Sequence, residues 1–345
     1  MRSELCGNDY QTRAKYHHLV PRAYMKPWIS GSHTLQVEYM DCPGEIKPKN
    51  IDKIGGITDY YSIMAGMLIC TEQDAEKIFS EALKYKVSLN DSVLSSPLDL
   101  NNHFLDFDKW IISRADGSVV RKKRIKREIQ KVKIRDIEIN WNGKYETKWG
   151  NVVKKIESNV VGAQNGQIEA FDKEFLMKFF TALDWRGFTG NRSFEDAFGN
   201  LMGIFQEEEI SEDDRILPCL TTTVAEIRHC LLLKYYRQFF EDSGPIYKMA
   251  MENLAKTNFH FLVSRSSEQF ITCDSPAFLH QRVDGFIEGL LPITPNVLML
   301  QGRCDDTTYT DHFYVTHIND EQVEVYNQAI RSNATEFVVH PPHSA

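Results

Sequence analysis

The sequence predicts an α+β fold: a central helical bundle packed on a mostly antiparallel sheet, formed largely by the C-terminal third plus N-terminal strands. Three observations predict it. Helical periodicity concentrates in the middle of the chain, where Trp149, Val152, Val153, Ile156 and Val160 share one face. Short apolar runs bounded by turn residues crowd the last third. Most of those runs have no helix between them, as parallel crossovers would require.

The elements follow in order. Up to about residue 65 the chain reads as irregular with short strands. Pro21 stands at the first position of a short helix over AYMKPWI. TLQVEYMD then alternates, with Leu35, Val37 and Tyr39 on one side. Residues 71–86 form a helix opened by a Thr71/Asp74 capping box. Asp99–Arg114 is amphipathic without a decisive period. Residues 119–141 turn basic, and two readings stand. One is a β-ribbon insertion with a bulge at Arg135–Asp136; the other is a helix over 120–131 followed by a strand. Helices follow over 144–161, 172–186 with Asp172 as cap, 194–206, 222–240 and 246–256. Strands are expected at 259–264, 269–274, 297–302 and 312–318, then a helix over 320–332 and a final strand, EFVVH.

With 345 residues, 42% hydrophobic and 26% charged, the chain suits one globular domain over 1–345. Its net charge of −8 excludes a uniformly basic, nucleic-acid-coating surface. No window approaches a membrane span, and the N-terminus lacks an apolar secretory core, so the expected compartment is the cytoplasm. Seven scattered cysteines without a CxxC pair argue against a disulfide framework or zinc knuckle. No nucleotide-cofactor motif and no dedicated metal-ligand set occurs. A divalent metal stays compatible with the histidines and carboxylates considered below.

Three stretches carry a family resemblance. His17-His18-Leu19-Val20-Pro21-Arg22-Ala23-Tyr24, Phe270-Ile271-Thr272-Cys273-Asp274-Ser275-Pro276, and Leu291-Pro292-Ile293-Thr294-Pro295-Asn296 with the following VLMLQG resemble three signatures of the bacterial domain of unknown function 4238 family. The closing VEVYNQAIRSNA with Asn327 fits as well. The family's Arg-Thr-Pro step stands here as Trp185-Arg186-Gly187-Phe188, which keeps the arginine. The resemblance spans about residues 15–340 and implies no established activity.

The chemistry must come from the residues. His17 and His18 point in different directions, so one ring can serve as general base or metal ligand while the other packs; both can equally be structural. Asp274 ends an apolar strand, where it can orient a histidine or hold a metal, or simply cap an Asx-turn. Cys273 alternates to the opposite face, and Ser275 lacks a nucleophile elbow. Arg186 and Arg192 flank a helix end and can clamp a phosphate. One expected site therefore uses His17, His18, Asp274 and Arg186 for catalysis, with Arg22, Arg192, Ser275 and Asn327 contacting substrate. Lys122, Lys123, Arg124, Lys126 and Arg127, within the basic segment 121–135, are the candidates for nucleic-acid contact.

Two functions compete. The first is hydrolysis of phosphodiesters by a nuclease-like enzyme. Lineage analogy alone extends that to phage defence, since sporadic bacterial families often serve it. The second is a non-catalytic ligand- or partner-binding protein in which the His-His and Asp-Ser-Pro motifs are structural.

Overall fold

The computed structural model describes residues 15–186, 199, 203, 207–265, 267–303 and 311–342. Arg192, and the helix expected over 194–206 apart from residues 199 and 203, lie outside the described residues.

In chain order the elements are β1 (Tyr16–His18), α1 (Arg22–Met25), β2 (Thr34–Tyr39), β3 (Ile46–Asn50), β4 (Gly56–Thr58), α2 (Glu72–Ile78), β5 (Lys86–Leu89), β6 (Ser92–Val93), α3 (Pro97–Asn102) and β7 (Ile111–Ser113). Then come α4 (Lys122–Lys131), α5 (Asp136–Trp141), α6 (Thr147–Ile156), β8 (Gly166–Glu169), α7 (Lys173–Asp184), α8 (Thr223–Phe240) and α9 (Gly244–Lys256). The chain closes with β9 (Thr257–Ser264), β10 (Thr272–Cys273), β11 (Phe278–Gln281), β12 (Ile287–Thr294), β13 (Val297–Arg303), β14 (His312–Ile318), α10 (Asp320–Asn333) and β15 (Phe337–His340). This is a mixed α+β protein, as the sequence predicts.

The chain divides into two compact units of interleaved segments. The first takes residues up to 17, 58–139 and 200–240; the second takes 18–57, 140–199 and 241–345. Both units contain helices.

In the first unit, β6, β5 and β7 form a small antiparallel sheet. The Thr71/Asp74 capping box forms as expected, but its helix stops at Ile78. Beyond it the chain turns, makes a short 3-10 helix over Ala82–Lys84, and enters β5 at Lys86. Arg237 of α8 bonds both oxygens of Asp74 at 2.6 and 3.0 Å and reaches Asp136 at 2.8 Å.

Of the two readings of 119–141, the helix over 120–131 forms, as α4, while the ribbon does not, and the strand expected after that helix is instead α5. Ile125 and Ile129 lie four residues apart and are buried on α4, and Ile137 and Trp141 repeat that spacing around α5. A period near four therefore wins over the alternation. Ile139 is left 43% exposed, and Ile134 makes only an isolated bridge to Ile63.

His229 of α8 is buried against the Tyr60 ring, 4.5 Å between centroids. Burial holds its pKa down to about 4. As pH falls below about 6.5 the unfolded chain takes up this proton first, so stability drops from there until the folded imidazole is also protonated near pH 4. The loss amounts to at most about 3 kcal/mol. A His229→Phe variant should therefore hold its urea midpoint between pH 6.5 and 4 better than the wild type. Parallel midpoints across that window would show that His229 does not set the acid limb.

The second unit carries two sheets. One is four-stranded in the order β10-β15-β2-β3, all antiparallel. The other is six-stranded in the order β11-β12-β13-β9-β14-β8, antiparallel except for the β9–β14 pair. Both faces of the six-stranded sheet are covered. Leu262, Leu290, Leu298, Leu300 and Ile318 join Val323 and Ile330 of α10 and Cys273 and Val338 of the four-stranded sheet in one cluster. Phe259, Phe261 and Phe313 pack on one another on the opposite face. Double-sided burial explains why these strands read as unbroken apolar runs.

α7 forms over Lys173–Asp184, close to expectation, but Asp172 does not cap it by hydrogen bonding. Its carboxylate takes the Lys155 ammonium at 2.7 Å instead.

Candidate functional site

The three signature motifs meet in the second unit at Tyr24, whose hydroxyl bonds Thr272 Oγ1 at 2.8 Å and donates to the Pro292 carbonyl at 2.7 Å. His17 belongs to the first unit, while His18, Arg186, Asp274, Ser275 and Asn327 belong to the second. His17 is fully buried. Its Nδ1 accepts the Tyr61 backbone N–H at 2.7 Å, and the two rings stack.

His18 is half-buried, and its carbonyl accepts from Arg186 Nε at 3.1 Å and Nη2 at 2.8 Å. The Arg186 guanidinium is buried and lies 4.5 Å above the Trp141 ring. Asp274 is buried too. Its Oδ1 accepts from the Thr335 N–H at 3.0 Å and its Oδ2 from the Glu336 N–H at 2.6 Å. Burial pushes its pKa up, and these backbone donors oppose the shift. Ser275 offers its carbonyl to Asn333 at 2.7 Å. Asn327 clamps the strand approach, accepting from the Ile271 N–H and donating to the Gln269 carbonyl. Arg22 pairs with Asp52 at the surface. Cys273 sits in the core, where burial raises its thiol pKa.

In the first unit, the charges of α4 are largely engaged within the protein. Lys122 donates to the Asp108 carbonyl at 2.6 Å, Arg124 pairs with Glu81 at 2.7 Å, and Lys126 reaches the Asp108 carboxylate at 3.4 Å. Arg127 lies 3.6 Å from Glu128, and Lys123 is exposed. Asp213 and Asp214 share a small cavity of about 130 Å³ with Lys126 and Lys133.

Two concavities flank α10, and different stripes of that helix line them. Glu324, Asn327, Gln328 and Arg331 face a polar cavity of about 310 Å³, closed on another side by His340. Behind it lies Glu38 of β2, which is buried. It accepts from Arg331 at 2.8 Å, from His340 Nε2 at 2.7 Å and from the Gly44 N–H at 2.8 Å. The Arg331 hydrogen bond, aided by Gly44 and His340, holds the Glu38 pKa down to about 2.

Gln322, Val325 and Tyr326 face the second concavity, a cleft of about 500 Å³ completed by His280, Arg282, Val283, Asp284 and Glu288 of the β11–β12 hairpin. Glu288 lies directly across the ladder from His280. Burial raises the Glu288 pKa, Arg282 opposes the rise, and burial also pushes Tyr326 up to about 12. A roomy, mostly apolar cleft with converging perturbed groups is the kind of place where ligands bind.

Sequence reasoning reached Asn327 but missed Glu38, His340, Arg331, His280, Glu288 and Tyr326. The one available signal was helical spacing: 324, 327, 328 and 331 form one stripe, and 322, 325 and 326 another.

Among the described residues, no cluster of three or more His, Cys, Asp or Glu could hold a metal, and no helix is long and apolar enough to cross a membrane. Comparison with curated proteins and with solved structures returns no match. A family model does match, over residues 16–344, and by that nearly full-length match the chain belongs to the family described as protein of unknown function (DUF4238).

Proposed function

We propose that this protein binds a ligand, and that its His-His and Asp-Ser-Pro motifs are architectural locks. One observation carries the reading. The groups that a hydrolase would need as base, orienting acid and phosphate clamp bond the protein's own backbone. His17 takes the Tyr61 N–H, Arg186 grips the His18 carbonyl, and Asp274 takes the Thr335 and Glu336 N–H groups. A catalytic carboxylate or guanidinium needs polar atoms free to meet substrate. The lined cleft beside α10 is where a ligand has room.

The test is incubation of the purified protein with single- and double-stranded DNA and RNA across divalent metals, beside His18→Ala and Asp274→Asn. The expected result is no turnover by any of the three. Metal-dependent cleavage by the wild type that Asp274→Asn abolishes would overturn the reading.

Hydrolysis retains support at another place. In the polar cavity a buried carboxylate, Glu38, orients His340 beside the Arg331 guanidinium, an arrangement suited to general base catalysis on an anionic ester. Cleavage lost in His340→Ala but kept in Asp274→Asn would favour that second reading.

A further inference from the structure

We propose that the cleft between the β11–β12 hairpin and α10 binds a primary ammonium group carried on a compact apolar body, with Glu288 as its counter-ion. This rests on the ligand-binding reading and names the chemistry of its ligand.

The walls set the apolar part. Val283 projects fully into solvent at the hairpin tip, and Val325 of α10, 60% exposed, faces the same cleft. Apolar side chains left this open around a concavity gain when an apolar ligand covers them. The volume of about 500 Å³ suits a small molecule.

The floor sets the polar part. Glu288 is only 4% exposed, and its Oε1 has no hydrogen-bond partner among the described residues. A carboxylate oxygen is an acceptor, so what it lacks is a donor. Leaving such a group buried and unpaired is costly, and a cationic donor relieves both the missing bond and the missing charge. Tyr326 hydrogen-bonds the carboxylate but brings no charge, and Oε1 stays without a donor among the described residues. Arg282 turns its guanidinium to Asp284 at 2.9 Å, and both side chains are about half exposed at the rim. Tyr326 lines the same cleft. The remaining titratable wall group is His280 on the neighbouring strand. An anionic ligand would meet Glu288 and Asp284; a cation meets them as partners.

The experiment titrates the full-length protein at pH 7.5 with phenethylamine, 3-phenylpropanoate and 2-phenylethanol, followed by ligand-observed NMR and calorimetry. Phenethylamine should bind at millimolar concentration or tighter, the alcohol at least tenfold more weakly, and the carboxylate not at all. Glu288→Gln should weaken the amine at least tenfold while melting no lower than the wild type, because the neutral amide is easier to bury. Val325→Ser, which removes apolar wall without adding charge, should weaken phenethylamine more than it weakens methylammonium. Equal binding of amine and carboxylate, an unchanged affinity in Glu288→Gln, or no amine binding would each overturn the proposal. A ligand found to bind elsewhere with Glu288 indifferent would sink this site yet leave the ligand-binding reading standing. Nucleic-acid turnover through Asp274 would instead sink that reading.

Discussion

Replacing Arg186 by alanine should cost about 4 kcal/mol or more, the largest single-residue loss expected in the second unit. Three losses combine. Two charge-assisted hydrogen bonds to the His18 carbonyl disappear, at 2.8 and 3.1 Å in the native protein. The stacking over Trp141 disappears as well. A side chain that is 1% exposed leaves a hole of its own size. Urea unfolding followed by tryptophan fluorescence suits the measurement, because Trp28, Trp141, Trp149 and Trp185 are all buried in this unit. Arg186→Lys keeps the charge but loses the planar fork, so it should recover less than half of the loss. Full recovery by lysine would mean that charge alone, not the grip on His18, is what matters there. Limited proteolysis should also find the chain around His18 to Tyr24 newly accessible in Arg186→Ala.

Asp274→Ala should cost about 3 kcal/mol, by stranding the Thr335 and Glu336 N–H groups at the entrance to β15. The conservative Asp274→Asn should behave very differently. Burial already disfavours the ionised carboxylate, as its raised pKa shows, so a neutral amide that keeps one acceptor oxygen should cost only about 1 kcal/mol. Hydrogen exchange at Glu336 and Phe337 gives a local readout, faster in the alanine variant and near native in the asparagine one. An asparagine variant as unstable as the alanine variant would show that the negative charge itself holds this corner.

β9, β13 and β14 were legible because burial on both faces writes continuous apolar runs, whereas β11 was not expected and the strand expected over 269–274 shrinks to Thr272–Cys273. β12 was not legible either. Gly289 and Pro292 read as punctuation inside IEGLLPIT, yet both have reasons to be in a strand. A Cβ on Gly289 would come within 2.7 Å of the Phe180 ring, so glycine lets that side chain close on the sheet. Pro292 lies past Leu290, where the β11 pairing ends, and beside a register shift, so its missing N–H is not needed by β11. The ribbon reading of the basic segment failed, and its helix reading over 120–131 held, because Val132 and Ile134 alternate only locally, whereas Ile125, Ile129, Ile137 and Trp141 hold the longer rhythm that burial follows.

The motifs were legible as motifs, but their partners were not. Arg186 grips a carbonyl 168 positions away, and Asp274 caps a turn about 60 positions on. Backbone atoms leave no mark in a sequence. Glu288 was hidden differently: its neighbours His280 and Tyr326 become neighbours only once the hairpin register and the docking of α10 exist.

The pairing of β2 with β15 has a consequence for synthesis. Val37 faces Val339 across that ladder, and β15 is the strand that separates β2 from β10. On a translating ribosome the first partner therefore waits for about 300 further residues, on the order of 15–60 s. During that wait one edge of the β2–β3 hairpin is unpaired. The other edge belongs to β3, whose Lys47, Pro48 and Lys49 discourage a foreign strand from adding there. The nascent hairpin is thus guarded on the side that stays exposed for life, and open on the side reserved for its own last strand.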